Sequence, residues 1–318
     1  MSHQDLMIKA MTYQSPEELP VGLGTLPAVW FRYGKDMIGL AKRFPKIFGE
    51  IKDDHDPRNW LGQSYRAGSY TDEWGCVWSN IEEGLSSIVT EHPVKRREDI
   101  RSLKMPENRN GHMPHGFMYL RLLDLRGFEE AMLDFADECG ELQILIDLVA
   151  EYNVIQTEIM VKNSGEIIYF GDDLGMQDGL AIGPAKWRKY LKPAFAKIFA
   201  VARTAGKYVY MHTDGHIHEI IPDLFDAGVH MVNPQYRANG LDNLVRVCKG
   251  RYPINLDLDR QMFPFCTPAQ CKDHVAECLD ALFMPEGGLS LSIEIGPDVP
   301  LANIEALCEA AEAARYYR

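Results

Sequence analysis

The sequence predicts an α/β fold, a single (β/α)8 TIM barrel filling residues 1–318. Three observations carry this expectation. From residue 167 onward, apolar strand-like runs alternate five times with helix-period segments. That alternation demands parallel strands, since each helix returns the chain to the same end. Each of the five strands ends in residues able to ligate a metal or move a proton. No GxGxxG follows any strand, which removes the usual dinucleotide reason for an open doubly wound sheet, the alternative architecture.

The elements follow in chain order. Residues 1–25 read as a mixed leader. A first strand is expected over 28–33, PAVWFRYGK, ending near Arg32 and Lys35. An amphipathic helix follows with Met37, Leu40, Ala41 and Phe44 on one face, and KDDHDPRNW after it is a solvated loop. YTDEWGCVWS, residues 70–79, is aromatic and β-prone, and 93–106 is a charged connector with a short helix, REDIRSL. His112 and His115 lie in a Gly- and Pro-bearing loop; two histidines at that spacing are able to bind metal, although such a loop pair is more often incidental. GFMYLRLLDLRGFEEAMLDFA is expected as a strand and then a helix, and a helix runs over 142–162. The regular part then begins: strand IIYFGDD and helix 184–204; strand YVYMHTD and helix 217–227; strand HMVNPQ and helix 241–248; strand PINLDLD and helix 268–283; strand LSLSIEIG and helix 301–316. No internal repeat and no linker interrupts it.

The central stretch is KYVYMHTDG, residues 207–215. A strand alternates its faces, so His212 and Asp214 point one way and Thr213 the other. In a parallel barrel the carboxyl ends of the strands are where active sites are built. The other ends bring Asp172 and Asp173, Asn233 and Gln235, Asp257 and Asp259, and Glu294. An Asp at a strand-to-helix junction often caps the next helix, which is the bland reading for Asp173 and Asp257. Five consecutive ends of this kind describe a polar, acidic pocket at one barrel mouth. Carboxylates held together repel unless a cation or a proton intervenes. His212, Asp214 and Glu294 supply one nitrogen and two oxygens with a position left open, the pattern of a catalytic zinc. Glu294 shares its strand face with Ser290 and Ser292. Without a metal, His212 and Asp214 are an acid–base pair.

Composition narrows the function class. Hydrophobic content of 46% with 25% charged residues is ordinary for a soluble enzyme. A net charge of −13 argues against a nucleic-acid partner. No apolar run of membrane-spanning length exists, and the first residues, MSHQDLMIKAMTYQ, read as cytoplasmic. Seven cysteines, an odd number with no CxxC, look like reduced thiols.

The segments YFGDDLGMQDGLAIGPAKWRKYLKP, GKYVYMHTDGHIHEIIPDLFDAGVHMVNP, DRQMFPFCTPAQ and IGPDVPLANIEAL, with TDEWG and DLRGFEEAMLD before them, closely resemble the uroporphyrinogen decarboxylase superfamily over about residues 70–313. The resemblance implies a distorted (β/α)8 barrel with its site at the carboxyl ends of the strands. The superfamily has two branches. Decarboxylases proper work without a cofactor and grip porphyrinogens through an amino-terminal arginine motif. This chain has the shorter FRYGK, so Arg32 is the matching cation and Lys35 stands in for an arginine. On that reading Asp72 or Asp173 would stabilise the pyrrole cation. The other branch comprises corrinoid-dependent methyltransferases, whose zinc-binding members carry His-x-Cys at a strand end. Here His212 keeps its place and Asp214 stands where that Cys would be, with Glu294 near the later ligand.

The DEWG and GDD segments are closer to the methyltransferase branch. The expectation is therefore transfer of a methyl group from a small O-methyl substrate, methoxyaromatic compounds included, to a corrinoid protein. Zinc would activate the substrate oxygen. His212, Asp214, Asp173 and Asp257 are the catalytic candidates. Arg32, Trp74, Tyr210, Asn233, Gln235 and Tyr236 are the substrate-binding candidates, with Trp78 as a further aromatic and core packing as the alternative role for the rings. A homodimer is an assembly open to such a chain. A cofactor-free decarboxylase and a silent binding barrel are the competing readings.

Overall fold

Residues 2–318 are described by a computed structural model. In chain order the strands are β1 (Val21–Thr25), β2 (Gly68–Thr71), β3 (Val77–Asn80), β4 (Ile88–Glu91), β5 (Ile167–Gly171), β6 (Tyr208–Thr213), β7 (Met231–Pro234), β8 (Ile254–Asp257) and β9 (Leu289–Ile295). The contacts divide the chain into two units. One runs to Ser69, resumes over Ser79–Ile88 and closes with Gly240–Arg318; the other holds Tyr70–Trp78 and Val89–Asn239.

In the second unit β5, β6 and β7 lie parallel and in register. Both faces of β6 are covered, which is why its sequence is nearly all apolar or aromatic before His212. Ile168 and Phe170 are buried on the helix side, where Phe170 meets the rings of Phe117 and Phe199. The helix Gly140–Asn163 buries Leu142, Leu145, Ile146, Val149 and Tyr152 at helical spacing and packs along Lys192–Thr204. That second helix is entered through one π-helical turn, Trp187–Leu191. Pro193 explains it: the residue has no N–H to give to the preceding turn and its ring crowds that turn's carbonyl, so the helix widens there.

In the first unit β1 pairs with β9 and β9 with β8, all parallel. Leu289, Leu291, Ile293 and Ile295 are buried, as the alternation in LSLSIEIG requires. Helices Pro268–Leu282 and Leu301–Ala314 pack on each other. The first is set by a Thr267–Gln270 capping box with Pro268 at the first helical position.

Two expected strands are helices. Residues 28–33 form the helix Pro27–Tyr33, with Pro27 at its start and Ala28, Val29 and Trp30 buried. The first strand is instead β1, inside the stretch expected to be a mixed leader, where helix His3–Met11 also forms. The Pro at the first helical position outweighed the β-branched and aromatic content that suggested a strand. The segment after Gly116 is the helix Tyr119–Arg126, not a strand, with Tyr119, Leu122, Leu125 and Arg126 buried at intervals of three to four. Gly127, at φ 84°, separates it from helix Phe128–Asp137. Among the described residues no helix is long and apolar enough to cross a membrane.

Candidate active site

The register of β5, β6 and β7 sets Gly171, His212 and Asn233 side by side. His212 Nδ1 lies 2.6 Å from Asn233 Oδ1, so this nitrogen carries the proton and donates it. Its other nitrogen, Nε2, is 3.2 Å from Asp214 Oδ1. The Asp214 N–H donates to Asp173 Oδ1 at 3.4 Å, and the same Asp173 oxygen lies 3.0 Å from His115 Nε2. The rings of His115 and His212 stand 5.5 Å apart. One ligand atom each from His115, Asp173 and His212 falls within 4.8 Å of the other two.

His115 reaches this cluster because of two glycines. Gly116 donates its N–H to the Gly171 carbonyl at 2.8 Å, fastening the loop to the end of β5. Gly171 itself leaves room: a Cβ there would sit 2.7 Å from His115 Nδ1. The loop's continuation is held by Asp172, which points to the opposite face from Asp173. Its carboxylate accepts the N–H groups of Met118, Tyr119 and Leu120 at 2.5–3.2 Å and that of Asp173 at 3.1 Å. Asp172 thereby satisfies the amino end of helix Tyr119–Arg126 from a distant part of the chain. Burial pushes its carboxyl up to about 7, against the pull of those N–H donors.

The loop after β6 is equally fixed. Gly215 donates to Gln235 Oε1 at 2.9 Å. Asn239 Oδ1 accepts from the N–H groups of Ile217 and His218, and its Nδ2 donates to the carbonyls of Gly215 and Gln235. The loops after β5 and β6 touch backbone to backbone, since a Cβ on Gly215 would fall 2.0 Å from the Gly175 oxygen.

Electrostatics pair the groups. Burial lowers the His212 pKa, but the hydrogen bond and charge of Asp214, with Asn233 and Asp173, outweigh it and raise the value to about 9. His115 is raised likewise, burial opposing and Asp173 prevailing. Without a metal, His212 is thus an imidazolium paired with the Asp214 carboxylate, beside His115 held against Asp173. The donor set of two imidazole nitrogens and a carboxylate oxygen suits zinc, which would take the place of protons on the ring nitrogens. The Nδ1–H of His212 given to Asn233 is the outer-shell bond that orients a ligating histidine.

The profile of the uroporphyrinogen decarboxylase family (URO-D) matches residues 124–314, more than half of the chain. This chain belongs to that family. Its fold is accordingly a uroporphyrinogen decarboxylase-like (β/α)8 barrel of the α/β class. A solved structure of similar fold is a methyltransferase from Methanosarcina mazei, 16% identical, covering 98% of this chain and 99% of that one with a TM-score of 0.69. Two further structures are more distant. A dihydropteroate synthase from Xanthomonas albilineans is 17% identical, covering 51% of this chain and 62% of its own at a TM-score of 0.35. A B12-independent methionine synthase from Shewanella is 10% identical, covering 80% and 74% at 0.40. No curated protein matches the sequence.

Of the residues singled out in the sequence of this URO-D family member, His212, Asp214, Asp173 and Asn233 share one end of one sheet; Gln235 comes directly after β7, and Tyr236 opens the short helix Tyr236–Asn239. Trp74 is a core residue, 7% exposed with its ring 5.1 Å from Tyr152. Asp257, Glu294 and Arg32 belong to the other unit. There Glu294 Oε1 is engaged by Arg260 Nη1 at 2.5 Å. Arg32 is exposed on the last turn of helix Pro27–Tyr33, its guanidinium 5.4 Å over the Tyr33 ring.

Asp72 accepts from the N–H groups of Trp74 and Cys76, from Trp78 Nε1 and from Arg121 Nη1, so all its lone pairs are engaged in holding the turn between β2 and β3. Two residues at the cluster are not among the site candidates of the sequence. His115 is legible there only as half of a loop pair with His112, and no local signal ties the 110–116 loop to residue 171. Tyr169 was recoverable: counting back by twos from Asp173 puts it on the cluster's face. It is 52% exposed there, with its ring 5.0 Å from that of Tyr210.

Proposed function

We propose that this chain is a methyltransferase that takes a methyl group from a small O-methylated substrate and passes it to a corrinoid protein. The proposed metal ligands are His115, Asp173 and His212, with Asp214 adjacent; zinc is the proposed ion. The supporting observation is the convergence of two imidazole nitrogens and a carboxylate oxygen within 4.8 Å. Three such protein ligands leave a coordination position for substrate. Glu294 is not among the proposed ligands, its carboxylate being engaged by Arg260.

The leaving group in this reaction is an alkoxide or phenoxide, which departs poorly. A bound zinc ion would supply Lewis acidity at that oxygen. The residues of the chain supply the rest. Asn233 fixes the His212 ring by accepting from Nδ1. Asp214, on the Nε2 side of that ring, takes up a proton or orients the donor. Tyr169 and Tyr210, two residues back along β5 and β6 on the same face, form an aromatic floor. The tight backbone contact of Gly175 with Gly215 keeps the two strand-end loops from spreading.

The cofactor-free decarboxylase alternative has less support. A porphyrinogen with several carboxylates needs several cations, whereas this strand end presents acids and histidines, and Asp72 is saturated by its own unit. The test of the proposal is zinc titration of the full chain by calorimetry. Binding of one equivalent, lost in His115→Ala and in His212→Ala, is the expected result. Absence of binding in the unaltered protein refutes the metal-assisted form of the reading.

A further inference from the structure

Outside the strand-end cluster, the chain holds a second pair of reactive groups that the methyl-transfer reading does not use. Cys266 and Cys271 lie in CTPAQC, around the start of helix Pro268–Leu282, and their sulfurs are 3.2 Å apart. That is closer than two unbonded sulfurs ordinarily rest, and about 1 Å beyond a disulfide bond of ~2.05 Å. The two sulfurs differ in access: Cys266 is half-buried, whereas Cys271 is fully buried.

The surroundings hold Cys266 in this position. Asn303, itself buried, donates Nδ2–H to the carbonyls of Phe263 and Cys266, both at 2.7 Å, and lies 3.9 Å from the Cys266 sulfur. The Thr267–Gln270 capping box fixes the four residues between the cysteines. Neither sulfur must travel far, and the backbone between them is already in one conformation. Burial, with the hydrogen bond between the two sulfurs next in weight, pushes the Cys271 thiol up to about 12. Cys266, the more accessible of the two, is the sulfur that attacks first.

We propose that Cys266 and Cys271 are a reversible oxidation site that closes an intramolecular disulfide when the chain meets a low-molecular-weight disulfide. In the first step the Cys266 thiolate attacks one sulfur of R–S–S–R, forming Cys266–S–S–R and releasing R–S⁻. In the second, the Cys271 sulfur, giving its proton to solvent or to the released thiolate, attacks the Cys266 sulfur and expels the second R–S⁻. Two thiols are oxidised and one external disulfide is reduced to two thiols. The bond clamps the segment from Asp259 to Cys266 onto the helix start. That segment carries Arg260, the partner of Glu294 at the end of β9. The site does not depend on the methyl-transfer reading.

Trypsin tests this directly, because residues 261–272, QMFPFCTPAQCK, leave as one peptide holding both cysteines. The full chain is incubated in glutathione buffer of rising oxidised fraction, alkylated, digested and weighed. The expected product is a peptide two hydrogens lighter than its reduced form, carrying no alkyl group and restored by dithiothreitol. Cys271→Ser should trap one glutathione on Cys266. Cys266→Ser should leave Cys271 at least tenfold less modified. Recovery of the unaltered peptide with both cysteines alkylated, or with glutathione persisting on Cys266, overturns the proposal. That measurement uses the unaltered protein and does not depend on the variants folding.

Discussion

Gly171 and His115 share one space. The imidazole of His115 occupies the volume a side chain at Gly171 would take, with Nδ1 2.7 Å from the position of the missing Cβ. The pairing converts a loop histidine into a member of the strand-end cluster. It predicts that Gly171→Ala expels the ring. Zinc affinity should fall at least about tenfold, the usual scale for disturbing a ligand's support, while stability drops by about 1–2 kcal/mol from crowding. Calorimetric zinc titration beside a thermal melt measures both. Unchanged affinity in a folded variant would remove His115 from the ligand set.

Arg121 is buried, and its Nη1 reaches Asp72 at 2.7 Å and Asp124 at 3.8 Å. Replacing it with Met leaves two carboxylates without their cation in a largely buried place. Stability should fall by about 3 kcal/mol or more. Denaturant unfolding of Arg121→Met checks this. A loss below about 1 kcal/mol would show that water already reaches these carboxylates.

Asp124 supplies the pH dependence. Burial, outweighing Arg121, pushes its carboxyl up to about 6. The folded state therefore holds a proton that the unfolded chain, with a carboxyl near about 3.9, gives up. The stability this confers is full below about pH 4 and is lost as pH rises through about 6. Measured against Asp124→Asn, which has no such proton to lose, the unaltered chain should lose about 2 kcal/mol between about pH 4 and pH 7. A difference that stays flat, or that grows in favour of the unaltered chain, contradicts this.

The sequence disclosed the sheets better than the site. The runs that became β5 to β9 are short, apolar and bounded by turn residues, so their order and parallel sense could be read directly. The segments that misled, 28–33 and the one beginning at Tyr119, are short helices whose aromatic and branched residues mimic strands; Pro27 and the spacing of Leu122 and Leu125 were the contrary signals. At the site, alternation along β6 correctly paired His212 with Asp214 on one face, a property of the strand alone. The closeness of His115 to Asp173 depends on a hydrogen bond between Gly116 and Gly171, residues far apart in the chain, and periodicity carries no information about such a contact. Asp172 shows the same limit: it caps a helix that precedes it in the chain, and nothing local to β5 names that partner.

Porphyrinogen decarboxylation should be absent. Arg32 is exposed on a helix, and the two histidines of the cluster each already face a carboxylate of the chain, His115 that of Asp173 and His212 that of Asp214. Incubation of the purified chain with uroporphyrinogen should yield no coproporphyrinogen above the no-protein control. Steady formation at enzymic rates would favour the decarboxylase branch.

Methyl transfer itself is the most direct measurement. The zinc-loaded full chain is mixed with a panel of simple methyl ethers, methanol and methoxybenzenes among them, and with free cob(I)alamin as acceptor. Methylcob(III)alamin is followed by its absorbance. The account predicts that at least one donor gives methylcobalamin at a rate proportional to protein, that removing zinc abolishes it, and that His115→Ala and His212→Ala each reduce it at least about a hundredfold. Zinc-independent transfer, or transfer that survives both histidine substitutions, would contradict the central claim.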